Sequence, residues 1–387
     1  MNLFKIGVIG IGNMGTSHIQ TLLNNEIIGA TVTAVCEYRD ERLTWLKNST
    51  DKEIDYYNDI EKFLNEADID GVIIATPHYS HPELAIKSFA KGYHVLLEKP
   101  AGVYTKNVLE MNEAAKQSGK VFSLMYNQRT NPLYQKLKSL IEAGELGEIK
   151  RTNWIVTNWY RSQSYYDSSE WRATWSGEGG GVLLNQAPHQ IDLWQWTTGL
   201  MPVKVQAFCM EGKYHDIEVE DEVTAFVEYE NGATGVFITS TGEAPGTNRF
   251  EIVGDRGKLV VENNQLHFYR LTQSEREFNA TFTGGFGEPE CWKIEVPVHG
   301  ENTDHKGIIQ NWTDAVLHGA PLIAPGEEGV KGLEISNAIY LSSWLKESVS
   351  LPLDSDLYYE KLQEKIQEST FTKKTVKNVT LDVQGTH

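Results

Sequence analysis

The stretch Ile6-Gly7-Val8-Ile9-Gly10-Ile11-Gly12-Asn13-Met14-Gly15 decides the fold of this 387-residue chain. Its first four residues form an apolar, strand-like run, and a helical pattern over 18–23 follows the last glycine. In Gly-x-Gly-x-x-Gly the first glycine permits a tight turn, the second admits a pyrophosphate, and the third lets helix and strand approach. A helix N-terminus also offers backbone N–H groups to phosphate. This context favours a dinucleotide-binding loop over another glycine-rich α/β turn, with Gly10, Gly12, Asn13, Met14 and Gly15 at the cofactor.

The charge after the second predicted strand bears on which dinucleotide binds. That strand ends at Cys36-Glu37, which places Glu37 22 residues after Gly15. A carboxylate there hydrogen-bonds the adenosine ribose hydroxyls and repels the 2′-phosphate of NADP. Arg39 offers a guanidinium that stacks on adenine or accepts that phosphate. The sequence therefore favours NAD, with NADP as the alternative.

Length and composition narrow the class of protein. A chain of 387 residues suits two domains, and no apolar run approaches the roughly 20 residues of a membrane-spanning helix. The N-terminal residues lack the pattern of a secretory signal, and the three scattered cysteines fit no zinc or redox motif. A net charge of −18 without a basic stripe argues against nucleic-acid binding. We therefore expect a cytoplasmic protein that binds neither membrane nor nucleic acid.

Two patterns succeed each other along the chain. Strand-like runs at 5–9, 31–36, 71–75, 94–97 and 121–125 alternate with helical patterns, which predicts crossover units and a parallel sheet. After that come helices, one long strand and hairpins, among them 223–229 and 234–239 joined by Asn231-Gly232. The sequence thus predicts an α/β Rossmann domain over 1–126 and an α+β domain with a large, mostly antiparallel sheet over 127–387. A helix over 357–366 is expected to contact the first domain.

The second sheet has a further implication for assembly. Helices are predicted on one of its faces, so its other face needs cover, which a second subunit commonly supplies. We therefore expect a homodimer or homotetramer formed through this sheet.

Motifs beyond the glycine loop identify a family. They are Ala75-Thr76-Pro77-His78-Tyr79-Ser80-His81-Pro82, Glu98-Lys99-Pro100, and Gly179-Gly180-Gly181 followed by His189 and Asp192. In order and spacing the chain resembles, over essentially its whole length, the Gfo/Idh/MocA oxidoreductases, the group that includes glucose–fructose oxidoreductase and inositol dehydrogenases. The resemblance implies an NAD(P)-dependent dehydrogenase that acts on a ring hydroxyl carbon of a sugar, inositol or glycoside.

The resemblance also implies which residues handle the proton. Lys99 is the catalytic or substrate-orienting lysine; it follows a predicted parallel strand, where open α/β sheets bind ligands, and partial burial would lower its pKa. His189 offers a neutral imidazole that accepts a hydroxyl proton. Family members often carry Asp-x-x-x-His here, but this chain has Asn185, whose amide orients a hydroxyl without taking a proton. Base catalysis then falls on His189 and Lys99, and the sequence does not decide which of the two takes the proton.

The remaining candidates are predicted to line the same cleft. Those expected at the cofactor are Thr76, Pro77, His78, His81, Glu98, Asn127, Trp171 and Arg172. Those expected at the substrate are Asn185, Asp192, Tyr160, Arg161 and Trp175, among which the aromatic rings suit the C–H faces of a sugar. No metal site is predicted at His78 and His81, because we expect no carboxylate or cysteine to partner them and the reaction that the resemblance implies needs no metal.

Two alternative functions stay open at this point. The aromatic stretch from 159 to 175 also suits a redox-assisted glycosidase, in which NAD oxidises a ring hydroxyl, the aglycone leaves, and the cofactor is restored. The other alternative is a non-catalytic, NAD-sensing regulator, against which the presence of both Lys99 and His189 argues.

Overall fold

A computed structural model gives the fold of residues 3–374 and 376. Residues 4–124 supply one sheet, and residues 149–350 supply a second, larger one. The predicted fold class is therefore confirmed: a Rossmann unit is followed by an α+β unit with a mostly antiparallel sheet. Within the described residues, no helix is both long and apolar enough to cross a membrane.

The first sheet is parallel throughout. Its strands are β1 (Phe4–Ile9), β2 (Ala30–Cys36), β3 (Asp55–Tyr57), β4 (Gly71–Ile74), β5 (His94–Leu97) and β6 (Phe122–Leu124). They lie in the order β3-β2-β1-β4-β5-β6, connected by α1 (Asn13–Leu23), α2 (Asp40–Lys47), α3 (Ile60–Glu66), α4 (His81–Ala90) and α5 (Thr105–Ser118). The strand order reverses between β1 and β4, and ligands of open α/β sheets bind at the carboxyl ends beside such a reversal.

One strand of this sheet has no signal in the sequence. Strand β3 is three residues long, and its side chains are exposed or half-buried. Because it lies at the edge of the sheet, it needs no continuous apolar run such as the fully buried β4 carries.

The second sheet has nine strands in the order β14-β13-β12-β11-β7-β10-β9-β8-β15. They are β7 (Ile149–Val156), β8 (Pro202–Glu211), β9 (Glu220–Tyr229), β10 (Thr234–Ser240), β11 (Asn248–Gly254), β12 (Gly257–Glu262), β13 (Gln265–Leu271), β14 (Cys291–Val296) and β15 (Val349–Ser350). Only β7 and β10 pair in parallel. The helices are α6 (Pro132–Glu142), α7 (Gln163–Tyr166), α8 (Pro188–Thr198), α9 (Glu275–Thr281), α10 (Asp304–His318), α11 (Gly329–Leu345) and α12 (Ser355–Glu368).

The two faces of the second sheet differ. On one face Trp154 of β7 stacks on Phe250 at 4.2 Å, and Trp194 of α8 stacks on Phe237 at 5.4 Å. The other face leaves large apolar side chains exposed. They are Ile155, Val203, Phe208, Met210 and Phe226. The alternation along β9, where Phe226 is exposed between buried Ala225 and Val227, produces this division.

Two C-terminal helices contact the first sheet's unit. Trp312 of α10 is fully buried against Phe4 of β1, with ring centroids 5.0 Å apart. On α12, Asp356 accepts a hydrogen bond from Lys106 at 2.7 Å. The C-terminal part of the chain thus returns to its N-terminal half through both helices.

Candidate active site

The glycine loop between β1 and α1 forms a phosphate cradle. Gly10 has a φ of +93°, and a Cβ there would lie 2.6 Å from the carbonyl oxygen of Ala75. A Cβ on Gly15 would lie 1.9 Å from the carbonyl oxygen of Gly10, whereas one on Gly12 would meet nothing within 4 Å. Helix α1 begins after Gly12 without a side-chain cap or an acidic first turn. The loop is therefore tight where the protein touches itself and open where a pyrophosphate would lie.

Glu37 and Arg39 form a pair beside this loop. The buried Glu37 carboxylate accepts the Ile11 N–H at 2.8 Å and the Arg39 Nε–H at 3.0 Å. Burial raises the pKa of Glu37, but the hydrogen bonds from Arg39 and Ile11 outweigh it and hold the pKa below its usual value. A 2′-phosphate would have to compete with this carboxylate for Arg39, so the pair favours NAD.

The segment after β4 connects the two halves of the site. The ring nitrogens of buried His81 face the carbonyl oxygens of Thr76 and Pro100, each at 2.7 Å. His78, whose pKa burial lowers well below its usual value, lies 3.1 Å from the carbonyl oxygen of Glu178 through Nδ1. Its ring also meets Trp171 edge-on at 5.5 Å. Both histidines thus hold backbone in place, and contact of Thr76, Pro77, His78 or His81 with the cofactor stays a prediction.

The end of β5 places an acid and a base next to each other. Glu98 Oε1 lies 2.7 Å from Nε2 of His18 on α1, and both side chains are buried. Burial raises the pKa of Glu98, but His18, His305 and Lys99 together lower it to about 2. The neighbouring Lys99 donates from Nζ to the carbonyl oxygen of Asn185 at 2.9 Å, and burial lowers its pKa.

Asn185 connects Lys99 to an acid that the sequence did not indicate. Its Nδ2 donates to Oε1 of Glu178, and Glu178 Oε2 accepts the Ala173 N–H at 2.5 Å. Arg172 Nη1 lies 3.8 Å from the same carboxylate. Glu178 lies among glycines and outside any recognised motif. Its place directly before Gly179-Gly180-Gly181 is the one feature of the sequence that could have pointed to it.

Helix α8 carries the predicted base and a buried ion pair. His189 is 4% exposed, and its ring meets Tyr126 edge-on at 6.2 Å. Asp192, one turn later, accepts two hydrogen bonds from Arg129, at 2.8 Å from Nε and 2.6 Å from Nη2. Arg129 is fully buried and also contacts Glu328 at 2.5 Å. The structure therefore gives Asp192 a structural partner where a substrate was expected, and its contact with substrate stays a prediction.

The aromatic stretch before the triple glycine divides into exposed and buried parts. Tyr160 is 53% exposed, and the Arg161 guanidinium lies over the ring of Tyr165 at 5.3 Å. Trp175, in contrast, is 2% exposed and packs edge-on against Tyr340 and Trp344. Its ring thus packs on α11, and contact of Trp175 with the substrate stays a prediction.

Asn127 lies at the end of the first unit, next to α10. It is fully buried, and its Nδ2 donates to Asp304. Its Oδ1 has no hydrogen-bond partner among the described residues. A buried acceptor without a protein donor fits the N–H or O–H group of a bound ligand, and contact of Asn127 with the cofactor stays a prediction.

Comparisons with known proteins agree with this geometry. Residues 4–126 match the Gfo/Idh/MocA oxidoreductase family with its NAD-binding Rossmann fold, and residues 134–260 match a Gfo/Idh/MocA C-terminal domain. The chain is 25% identical to a myo-inositol 2-dehydrogenase of Thermotoga maritima, over 90% of this chain and 98% of that protein. It is 26% identical to a levoglucosan dehydrogenase of Pseudarthrobacter phenanthrenivorans, over 76% and 83%.

A solved structure is similar over nearly the whole chain. The WlbA dehydrogenase of Chromobacterium violaceum, in complex with NADH and UDP-GlcNAcA, matches with a TM-score of 0.78 and 28% identity. The match covers 92% of this chain and 97% of that one.

Proposed function

The chain belongs to the Gfo/Idh/MocA family of NAD-binding oxidoreductases, and from this premise we propose that it oxidises a ring hydroxyl of a sugar, an inositol or a glycoside. The contact that carries the proposal is Lys99 Nζ at 2.9 Å from the Asn185 carbonyl oxygen, because it joins the cofactor unit to the second domain at a lysine. The chain's membership of an oxidoreductase family sets the regulator alternative aside.

The glycine loop, Glu37 and Asn127 are the residues that would hold NAD. Gly12 leaves the α1 N-terminus open, so its N–H groups would hold the pyrophosphate, Glu37 would accept hydrogen bonds from the ribose hydroxyls, and Asn127 Oδ1 would accept one from a further donor. When bound, NAD accepts a hydride from the carbon that carries the substrate hydroxyl. All other chemistry falls to the side chains around that hydroxyl.

Lys99 and His189 are the proposed proton acceptors. Burial lowers the pKa of Lys99, so a larger fraction of this lysine is neutral near pH 7 than of a lysine in water. The imidazole of His189, on α8 above Tyr126, is the second acceptor. The Asn185 amide orients the hydroxyl without taking its proton.

The substrate class follows from the relatives and from the charges near Lys99. Two relatives act, by name, on myo-inositol and levoglucosan, which are polyhydroxylated rings. The exposed Tyr160 offers a ring for the C–H face of such a molecule. Arg161 and Arg172 both act electrostatically on Lys99, so rings that carry a carboxylate belong in the test panel beside neutral ones.

An absorbance assay tests the proposal. Wild-type protein with NAD and a panel of inositols, sugars, uronic acids and glycosides is expected to produce NADH with at least one member. Lys99→Met and His189→Asn are each expected to lower kcat by about 10²-fold to 10⁴-fold. If no compound yields NADH, or if Lys99→Met turns over at the wild-type rate, the proposed role is wrong.

The redox-assisted glycosidase is the second candidate, favoured by the exposure of Tyr160 in the loop before the triple glycine. It would release an aglycone from a glycoside without net NADH and would place solvent deuterium on the carbon next to the oxidised one. Absence of both signals with every glycoside that binds rejects it.

We also propose that the open face of the second sheet forms a homo-oligomer. Its exposed Phe208 and Phe226 lie on neighbouring strands and are apolar enough to need cover. Phe226→Asp is expected to reduce the particle mass measured by light scattering, whereas Trp292→Asp on edge strand β14 serves as the control. A wild-type protein that is already monomeric would contradict this proposal.

A further inference from the structure

Glu178 is a buried acid whose two oxygens are both engaged beside Lys99. It is 1% exposed, although it lies in a loop between Gly177 and Gly179. Oε2 accepts the Ala173 N–H, and Oε1 accepts the Asn185 amide. A carboxylate is rarely buried unless its charge is compensated by such donors, so its position calls for a role.

The hydrogen bond to Glu178 fixes which way the Asn185 amide faces. An ionised carboxylate only accepts hydrogen bonds, so the amide must present its NH₂ group to Glu178. Oδ1 of Asn185 is then the side-chain atom that can accept a hydrogen bond from another group. Every other residue from 178 to 195 is buried, whereas Asn185 is partly accessible. Asn185 is therefore the residue of this segment that a ligand can reach, and its amide has a defined orientation.

The same residue connects Glu178 to Lys99. The Asn185 carbonyl oxygen accepts from Lys99 Nζ while its side chain donates to Glu178. The charged groups that act on Lys99 are Glu98 and Glu178, which favour its protonated form, and Arg161 and Arg172, which oppose it. Burial raises the pKa of Glu178, whereas the charges of Arg172 and Lys373 and the hydrogen bonds from Ala173 and Asn185 favour its ionised form. Glu178 thus belongs to one electrostatic unit with the proposed proton acceptor.

We propose that Glu178 is a positioning residue that holds the Asn185 amide with Oδ1 as the acceptor for a substrate hydroxyl and keeps a negative charge beside Lys99. It does so without contacting the substrate. The inference rests on the proposed function of the site, since it assigns a role to the surroundings of Lys99. The competing explanation is that Glu178 only stabilises the loop through the Ala173 N–H.

The charge claim is tested without turnover. Lysines labelled with ¹³C at Cε are titrated by NMR in wild type, Glu178→Gln and the control Glu170→Gln, which removes an exposed acid of the same stretch. The Lys99 signal is identified by its absence in Lys99→Arg. Loss of the negative charge destabilises the ammonium form, so Lys99 is expected to titrate at lower pH in Glu178→Gln and unchanged in Glu170→Gln. An unchanged Lys99 titration in both variants overturns the charge claim.

The orientation claim is tested by exchanging the two groups. Glu178→Gln is expected to lower kcat/KM about 10-fold to 100-fold. Asn185→Asp is expected to lower it more, because its new carboxylate faces that of Glu178 and the N–H donor between them is lost. The double variant E178Q/N185D again pairs one amide with one carboxylate, with the two groups exchanged between the positions. It is expected to recover most of the kcat/KM that Asn185→Asp loses. A double variant no better than Asn185→Asp, with melting temperatures that match wild type, overturns the pairing.

The two hypotheses fail separately. If wild-type protein oxidises no member of the panel, the proposed function fails, while the lysine titration still decides whether Glu178 acts on Lys99. If wild type is active, the lysine titration does not move and the double variant is no better than Asn185→Asp, Glu178 is a loop residue and the function of the site stands.

Discussion

The two sides of the cleft are encoded in different ways. On the cofactor side, Gly10, Gly12 and Gly15 stand within six residues; Gly10 and Gly15 have a steric reason within the protein to be glycine, whereas Gly12 leaves space for a ligand. On the substrate side, the bond from Lys99 to Asn185 spans 86 residues, and that from Arg129 to Asp192 spans 63. A ligand common to many proteins is held by a short, recognisable loop, whereas the substrate side is assembled from contacts that only the fold brings together.

The largest effect is expected from the buried ion pair on the substrate side. Arg129→Met leaves Asp192 charged in the interior, which is expected to lower the free energy of unfolding by about 3–5 kcal/mol. Replacing both partners, as in Arg129→Met with Asp192→Leu, should cost less than the single change, because no unpaired charge remains at Asp192. Chemical denaturation measures both. A single variant as stable as wild type would mean that the pair is not buried in solution.

A pH-dependent effect is expected within the cofactor side, at Glu98 and His18. The pKa of Glu98 is lowered to about 2 in the fold from a usual 4.5, so its contribution to stability is present above pH 4.5 and is lost as the pH falls towards 2. The stability difference between wild type and Glu98→Gln should therefore shrink over this window, by a few kcal/mol at most. Urea unfolding at a series of pH values measures it, and a difference independent of pH would contradict the assignment.

A matched pair of glycine variants tests which glycine of the loop faces the cofactor. Gly15→Ala places a methyl group against the Gly10 carbonyl and is expected to cost about 1–3 kcal/mol of stability even without NAD. Gly12→Ala meets no protein atom, so the protein without NAD should melt at the wild-type temperature while its affinity for NAD falls. Calorimetry with and without NAD separates the two effects. Equal behaviour of the two variants would show that Gly12 does not face the cofactor.

A smaller effect is expected for the choice between NAD and NADP. Glu37→Ala releases Arg39, which should shift the ratio of affinities towards NADP by about 10-fold. Adding Arg39→Ala should abolish that gain. If Glu37→Ala leaves the ratio of NAD to NADP affinities unchanged, Glu37 and Arg39 do not discriminate between a hydroxyl and a phosphate at the 2′ position.

The same contrast explains how far the sequence predicts this protein. Apart from β3, the strands of the first sheet follow from local periodicity, as do the hairpins of the second, and the cofactor loop follows from glycine spacing. Trp175 lies in an aromatic stretch that suits a sugar, but the sequence could not show that its ring packs on Tyr340 and Trp344 of α11. The spacing of His189 and Asp192 indicated a shared helix face and could not show that Arg129, 63 residues earlier, occupies the aspartate. Glu178 had no motif, since its role exists only through Asn185.

Transfer of deuterium from substrate to cofactor tests the central claim most directly. A panel member that is turned over is prepared with deuterium on its carbinol carbons, and the nicotinamide product is analysed by mass spectrometry. We predict deuterium in the reduced cofactor with wild-type protein, and strongly reduced formation of that product with Lys99→Met. Substrate consumption without deuterium in the cofactor, or equal labelling at an equal rate in Lys99→Met, would contradict an oxidoreductase site built around Lys99.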